Sequence, residues 1–164
     1  MQVYKFGGTS LATAERIKTV VNIVNDQNRK FVVLSANGKT TDLFADMAYS
    51  LSNKNYKEAV IIRGKLVYYY LSLIDELFVQ EYYNIKAREF VHTLFQQIQS
   101  RFENKYGEYD SNWLLSRGEI ISTALFSIVL HEQKIPSSLM WASDIMIKDN
   151  TGQANTTKIA ENLN

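Results

Sequence analysis

Cysteine is absent from the 164 residues of this chain, which contains only one proline and seven glycines. Without cysteine the chain cannot form disulfides, thiolate zinc sites or a cysteine nucleophile. With so few prolines and glycines there is little room for a long flexible linker. We therefore expect one domain with its own core, and the lack of cysteine fits a cytoplasmic protein.

The chain also lacks an excess of charge of either sign and any long hydrophobic run. Its formal net charge is +1, whereas nucleic-acid-binding proteins usually carry a strong basic excess. The longest apolar stretch, Val67 to Val79, is interrupted by Ser72, Asp75 and Glu76 and is too short to cross a membrane. The first residues do not form a signal peptide. We expect a cytoplasmic protein that binds neither nucleic acid nor membranes.

The chain does contain an alternation of strand and helix patterns. Val3 to Phe6 predicts a short strand, and the unbroken apolar run from Phe31 to Leu34 predicts a buried parallel strand. Between them, Thr13 is a predicted N-cap for a helix with an apolar stripe at Ile17, Val20, Val21 and Val24. Another helix is predicted around Leu43 to Leu51. This order is typical of an α/β fold with a mainly parallel sheet.

The middle of the chain, about residues 52–106, predicts a helical insertion with a hairpin turn at Tyr82 to Asn84. The segment from Ile120 to Leu130 is apolar nearly all round, which predicts a buried helix. The rest is predicted as two strands and a last helix, at Pro136 to Ala142, Ile145 to Ile147 and Thr156 to Leu163.

The segment Lys5-Phe6-Gly7-Gly8-Thr9-Ser10 joins the first strand to the first helix. Adjacent glycines let the backbone approach a ligand closely, and their N–H groups with the neighbouring hydroxyls can surround phosphate oxygens. A lysine at the strand end can neutralise charge on a transferring phosphoryl group. A tight turn with an exposed lysine explains the same residues without a ligand. The segment is not a Walker A loop, and Gly38-Lys39-Thr40 lacks the first glycine of one because Val33 stands there.

Two further polar segments lie after the buried strand and at the start of the buried helix. Val33 to Ala36 leads into Thr41-Asp42-Leu43, and Ser116 to Ser122 contains a Gly118-Glu119 pair. Taken alone, they predict a capped loop and a first-turn glutamate that serves the helix dipole. Taken with Lys5 to Ser10, and in this order, they resemble the motifs of aspartokinases in the amino acid kinase superfamily.

The resemblance implies a three-layer αβα sandwich with a mainly parallel sheet, into which the helical hairpin is inserted. It implies an aspartate-binding set in which a carboxylate meets the substrate ammonium, at Ser35, Thr41 and Glu119. Because Gly38 and Lys39 intervene, Thr40 stays open as the alternative to Thr41. The resemblance implies that Lys5 is catalytic and that the ATP phosphates are bound by Lys5, Gly7, Gly8 and Ser10.

Enzymes of the family that the chain resembles transfer the γ-phosphoryl group of ATP, with Mg²⁺, to the side-chain carboxylate of L-aspartate. The product, 4-phospho-L-aspartate, begins the biosynthesis of lysine, threonine and methionine. The resemblance covers the first part of the family's catalytic domain, so we expect residues 1–164 to lack the nucleotide-binding half and the regulatory domains and to be inactive alone. It also implies a homo-oligomer. No metal ligand is predicted, because His92 and His131 are isolated.

Two alternatives to this function stay open. The first is a non-catalytic binding or assembly module of the same fold, suggested by the chain's length and its tyrosine-rich helices around Tyr68 to Tyr70. The second is an amino acid kinase with another acceptor, such as acetylglutamate. Arg117 is left unassigned between the substrate carboxylates and solvent.

Overall fold

A computed structural model of the chain describes residues 2–26, 28–103 and 108–163. Two strands lie near the N-terminus, and helices make up most of the other described residues. A short 3₁₀ turn, Gly8–Leu11, comes after the first strand. In chain order the strands and α-helices are β1 (Gln2–Phe6), α1 (Ala14–Val24), β2 (Lys30–Leu34), α2 (Thr40–Ser52), α3 (Tyr56–Leu77), α4 (Glu81–Glu103), α5 (Glu108–Leu115), α6 (Arg117–Glu132), α7 (Ala142–Ile145) and α8 (Thr156–Asn162).

β1 and β2 pair in parallel, and their register places Phe6 opposite Leu34 at the carboxyl end. One face of this sheet, with Phe6, Val32 and Leu34, packs against the hydrophobic core. On the other face Val3 is 65% exposed and Val33 is 50% exposed. The α/β prediction with a parallel sheet is confirmed, whereas the prediction that β2 is a buried strand is wrong for the face that carries Val33.

Helix α1 connects the two strands, as its sequence pattern predicts. The Thr13 hydroxyl accepts a hydrogen bond from the backbone N–H of Arg16 at 3.3 Å, which confirms the predicted N-cap. The predicted apolar stripe is buried throughout, at Ile17, Val20, Val21 and Val24. Burial of this stripe is what holds the crossover against the rest of the core.

Helices α3 and α4 form the predicted hairpin, but the turn lies earlier than Tyr82 to Asn84. Helix α3 ends at Leu77 and α4 begins at Glu81. The Glu132 carboxylate accepts hydrogen bonds from the N–H groups of Val79 and Gln80, at 3.0 and 2.8 Å. This long-range contact fixes the turn, and no pattern within the hairpin reveals it. The end of the predicted insertion, at 104–106, lies outside the described residues.

Helix α6 is the buried helix that the apolar run predicts, and its residues from Ala124 to Leu130 are all buried. Among the described residues, one stretch, Asp110–Glu132, is long and apolar enough to cross a membrane by length and composition alone. Within its most apolar window 61% is buried inside the protein, and a core helix passes the same test. Its burial against the other helices accounts for its composition.

The prediction of two strands after α6 is wrong. Pro136 to Met140 forms neither helix nor strand, and Ala142 to Ile145 forms the short helix α7. A strand needs a partner backbone, and within the described residues the β1–β2 sheet does not extend to this segment. The last predicted helix is confirmed as α8.

Candidate functional site

Two loops meet at the carboxyl end of the parallel strands. The first, Gly7 to Ser10, comes after β1, and the second, Ser35 to Gly38, comes after β2. The N–H of Ser35 donates to the carbonyl of Phe6 at 3.0 Å, and the N–H of Gly38 donates to the carbonyl of Gly8 at 2.9 Å. These hydrogen bonds join the two loops directly beyond the ends of the strands. Ligands of α/β proteins bind at this edge.

Gly8 sits so close to the second loop that no larger residue fits. A Cβ atom on Gly8 would lie 2.7 Å from the carbonyl oxygen of Gly38 and 2.9 Å from that of Ala36. Both neighbours are backbone atoms, which cannot rotate away as a side chain can. The second glycine of the Gly-Gly pair is therefore required by the packing of the two loops.

Gly118 brings the first turn of α6 against the same loop. A Cβ atom on Gly118 would lie 2.7 Å from the Cβ of Ala36 and 3.5 Å from the Phe44 ring. Glu119 is the next residue and is partly exposed in the first turn of α6. The close approach thus places Glu119 directly after a residue that packs on the second loop.

Lys5, Gly7 and Ser10 lie together in and beside the first loop. The side chain of Lys5 is exposed, and its Nζ atom lies 3.8 Å from the point that a Cβ on Gly7 would occupy. The backbone N–H of Ser10 donates to the carbonyl of Gly7 at 3.0 Å, which closes the turn. A cation beside a glycine backbone is an arrangement that can receive an anionic group.

The predicted acceptor residues of the second segment differ in exposure. Ser35 is partly buried directly after β2, and Thr41 is exposed at the second residue of α2. Thr40, the alternative, is buried at 2% exposure, and its hydroxyl donates to the carbonyl of Asn37 at 2.8 Å. The hydroxyl of Thr40 therefore closes the loop, whereas Thr41 is the threonine that solvent reaches.

Asn37 ties the two loops together, and the sequence patterns do not single it out. It is 1% exposed, and its side-chain amide donates to the carbonyl of Leu11 at 2.9 Å. Next to it, Gly38 has a φ of +55°, which favours glycine. The dipeptide Asn-Gly is itself a turn signal, and it is the local hint of this structure in the sequence.

Tyr69 and Tyr70 reach this region from α3. The Tyr69 hydroxyl donates to the carbonyl of Ala12 at 2.9 Å, and burial raises the pKa of Tyr69 to about 12. Burial also raises the pKa of Tyr70 above the usual range of a phenol, although the neighbouring Thr40 side chain acts in the opposite direction. The helical insertion therefore contributes side chains beside the site.

Arg117, the first residue of α6, packs against Trp113 of α5. Its guanidinium lies 4.2 Å from the ring centroid of Trp113 and donates to the Trp113 carbonyl at 3.0 Å. Burial lowers the pKa of Arg117, and the positive charge of Arg101 lowers it further. Packing between α5 and α6 therefore explains the position of the Arg117 side chain.

A model of the amino acid kinase family matches residues 1–164, and the chain belongs to the amino acid kinase family. Aspartokinases are among the relatives that it matches within that family. Aspartokinase 2, chloroplastic, of Arabidopsis thaliana is 33% identical over 135 residues, covering 79% of this chain and 24% of the relative. Bifunctional aspartokinase/homoserine dehydrogenase 1, chloroplastic, of the same plant is 27% identical over 150 residues, covering 88% of this chain and 16% of the relative.

Solved structures agree with this assignment. E. coli aspartokinase III in complex with lysine and aspartate superposes with a TM-score of 0.83 at 27% identity, covering 99% of this chain and 36% of that one. The same enzyme in complex with aspartate and ADP gives a TM-score of 0.80 at 26% identity, with 98% and 36% covered. The predicted resemblance and the amino acid kinase-like fold are confirmed. The chain spans about a third of these structures and less of the curated relatives.

Proposed function

We propose that this chain carries the acceptor-binding and phosphate-binding part of an aspartate kinase. The reaction transfers the γ-phosphoryl group of ATP to the side-chain carboxylate of L-aspartate and yields 4-phospho-L-aspartate. We also propose that residues 1–164 are the N-terminal portion of a catalytic domain, inactive without its nucleotide-binding half. In this proposal the reaction belongs to amino acid biosynthesis. The enzyme is located in the cytoplasm and forms a homo-oligomer.

The observation that carries the proposal is the convergence of three segments at one edge of a parallel sheet. Gly8 packs on the second loop and Gly118 packs on Ala36, so the second loop contacts both the first loop and the first turn of α6. The same segments contain a lysine, a pair of glycines, hydroxyls and a carboxylate. Similarity to a structure that holds aspartate and ADP supports phosphoryl transfer as the reaction.

In this mechanism the protein positions the reactants and neutralises charge. The acceptor carboxylate is already a nucleophile, so no general base is required. The Lys5 ammonium, beside Gly7, offsets charge on the transferring phosphoryl group, and Gly7, Gly8 and Ser10 line the phosphates. The aspartate is held by Ser35, Thr41 and Glu119.

Mg²⁺ accompanies ATP in this proposal. Among the described residues, no group of three or more histidine or acidic side chains could hold a metal ion. Mg²⁺ is commonly bound through substrate phosphates and water with only one or two carboxylates, which suits a nucleotide-borne ion. When bound, it would neutralise phosphate charge, in addition to Lys5.

The acceptor is proposed to be an amino acid with a free ammonium group. Glu119 is the carboxylate at the site, and a charge-assisted hydrogen bond to an ammonium is its natural use. N-acetylglutamate has an uncharged amide at that position, so it cannot form an ion pair with this carboxylate. The chemistry of Glu119 therefore favours aspartate over the acetylated acceptor.

The proposal is tested by isothermal titration of the 164-residue chain with L-aspartate and, separately, with N-acetyl-L-glutamate. We expect weak binding of aspartate, none of the acetylated compound, and loss of aspartate binding in Glu119→Ala. Glu58→Ala is the matched control, because Glu58 also lies in the first turn of a helix, α3. Failure of the unsubstituted chain to bind aspartate, or equal loss in both variants, would contradict the acceptor assignment and favour a non-catalytic module.

A further inference from the structure

Arg16 reaches back from the first turn of α1 to the loop Gly7 to Ser10. Its Nη1 atom donates to the carbonyl of Thr9 at 2.8 Å. The peptide group that joins Thr9 to Ser10 is also held at its other end, because the N–H of Ser10 donates to the carbonyl of Gly7 at 3.0 Å. A peptide group is planar, so these two hydrogen bonds together fix its orientation.

The orientation of the carbonyl groups matters in a loop that lines phosphates. A carbonyl oxygen carries partial negative charge and repels a phosphate oxygen, whereas a backbone N–H attracts one. The carbonyl of Gly8 accepts from the N–H of Gly38 at 2.9 Å, so the donors to Gly7 and Gly8 are both backbone groups. The donor to Thr9 is a side chain, that of Arg16, and it is therefore the one that a substitution can remove.

Arg16 does not lie where an arginine stabilises its own helix. It is the third residue of α1, and a cation in the first turn opposes the helix dipole. Its side chain is exposed, and it forms no ion pair within the part of the chain that the structure describes. Arg16 and Ser10 line the same cavity beside the loop. The hydrogen bond to Thr9 thus explains the position of Arg16, and its positive charge stays next to the loop.

We propose that Arg16 is a positioning residue for phosphate binding, which holds the Thr9 carbonyl so that it cannot turn towards the anion. The inference rests on the proposed function, because it takes Gly7, Gly8 and Ser10 as the groups that line the phosphates of ATP. The first turn of α1 then supports the shape of the loop, and the charge of Arg16 adds to that of Lys5.

The test is the affinity of the 164-residue chain for inorganic tripolyphosphate, measured by calorimetric titration of Arg16→Ala. We expect a dissociation constant about fivefold higher, because a hydrogen bond that orients the loop is lost. Aspartate affinity should change less than about twofold, which separates this role from a general loss of structure. Arg29→Ala is the matched control, because Arg29 is also exposed and precedes β2, at the opposite end of that strand from the loops. It should leave both affinities unchanged.

NMR of the ligand-free chain shows whether Arg16 acts through Thr9. The ¹³C resonance of the Thr9 carbonyl and the ¹⁵N resonance of Ser10 report on the peptide group between them, and both should move in Arg16→Ala but not in Arg29→Ala. Weaker tripolyphosphate binding without these changes would mean that Arg16 acts by its charge alone, and would overturn the inference.

Unchanged tripolyphosphate affinity in Arg16→Ala, an equal loss in Arg29→Ala, or a comparable loss of aspartate affinity in Arg16→Ala would also overturn the inference. Each of these results would leave the proposed function intact. Failure of the unsubstituted chain to bind tripolyphosphate would instead contradict the phosphate assignment itself, and the inference would fall with it.

Discussion

The edge of the sheet and the segment 133–163 are built in opposite ways. At the edge, Asn37 and Thr40 are almost wholly buried, and the two loops touch through backbone atoms at Gly8. In the segment 133–163, no described residue is buried, and only the short helices α7 and α8 are regular. The edge is determined by contacts between segments distant in sequence, whereas the other region is held mainly by hydrogen bonds between near neighbours.

This difference predicts where a substitution should have a large effect on the protein. Backbone contacts such as those of Gly8 leave no freedom for relaxation, so a single methyl group must displace a whole loop. In the segment 133–163 the turn after Lys148 is held by local hydrogen bonds, among them those that the Asp149 side chain accepts from Thr151 and Gln153. Substitutions at the sheet edge should therefore have large effects, and those in the segment 133–163 small ones.

Gly8→Ala should lower the free energy of unfolding by about 3 kcal/mol, because its Cβ would overlap two backbone carbonyls. Gly64→Ala is the matched control: Gly64 lies within helix α3 with nothing within 4 Å of an added Cβ. It should raise the free energy of unfolding by about 1 kcal/mol, through helix propensity alone. Urea denaturation measures both, and effects of the same sign would remove the distinction.

Lys5→Ala should weaken the binding of inorganic tripolyphosphate, which stands in for the phosphates of ATP, by about tenfold. Aspartate affinity should change less than about twofold, because Lys5 is assigned to the phosphates and not to the acceptor. Lys65→Ala removes another exposed ammonium, from α3, and should leave tripolyphosphate binding unchanged. Calorimetric titration decides, and similar losses in the two variants would show that only overall charge matters.

Thr40→Val and Thr41→Val separate the two neighbouring threonines. The first should cost about 1 kcal/mol of stability, because the hydroxyl of Thr40 satisfies the Asn37 carbonyl inside the protein. The second should change stability by less than about 0.5 kcal/mol, because Thr41 is exposed, and should weaken aspartate binding severalfold. A loss of aspartate affinity in Thr40→Val alone would reassign the acceptor contact to Thr40.

The smallest effect concerns pH and the segment 133–163. The pKa of Asp149 lies below its ordinary value of 3.8, because the Thr151 hydroxyl and backbone N–H groups donate to the carboxylate. The stabilisation of the turn by these hydrogen bonds is therefore fully present above the ordinary pKa and is lost as pH falls through the lowered pKa. NMR should show the turn at Asp149 opening in that acidic range, and Asp149→Asn should remove the dependence. Persistence of the dependence in Asp149→Asn would contradict the assignment.

The sequence alone predicts those helices and strands that are determined by residues near one another in the chain. The stripe from Ile17 to Val24 and the cap at Thr13 predict α1, and the apolar run before Ser35 predicts β2. The hairpin turn was misplaced because Glu132, far along the chain, fixes it. The prediction of strands after Pro136 is wrong because an apolar pattern indicates only that a segment could form a strand. It does not show that another strand lies beside it to pair with.

The candidate site was predictable in its members and not in its geometry. Family motifs single out Gly8 and Glu119, but their segments meet through Ala36, which lies close to both Gly8 and Gly118. Spacing alone leaves Thr40 and Thr41 as alternatives, because their burial depends on the loop that precedes α2.

Mapping L-aspartate onto the backbone amides by ¹H–¹⁵N NMR tests most directly the claim that the sheet edge is the acceptor site. We expect the ligand-induced shifts to fall in Gly7 to Ser10, Ser35 to Gly38 and the first turn of α6, and to leave residues 133–163 unchanged. Shifts confined to that last segment, or spread without relation to the sheet edge, would contradict the account.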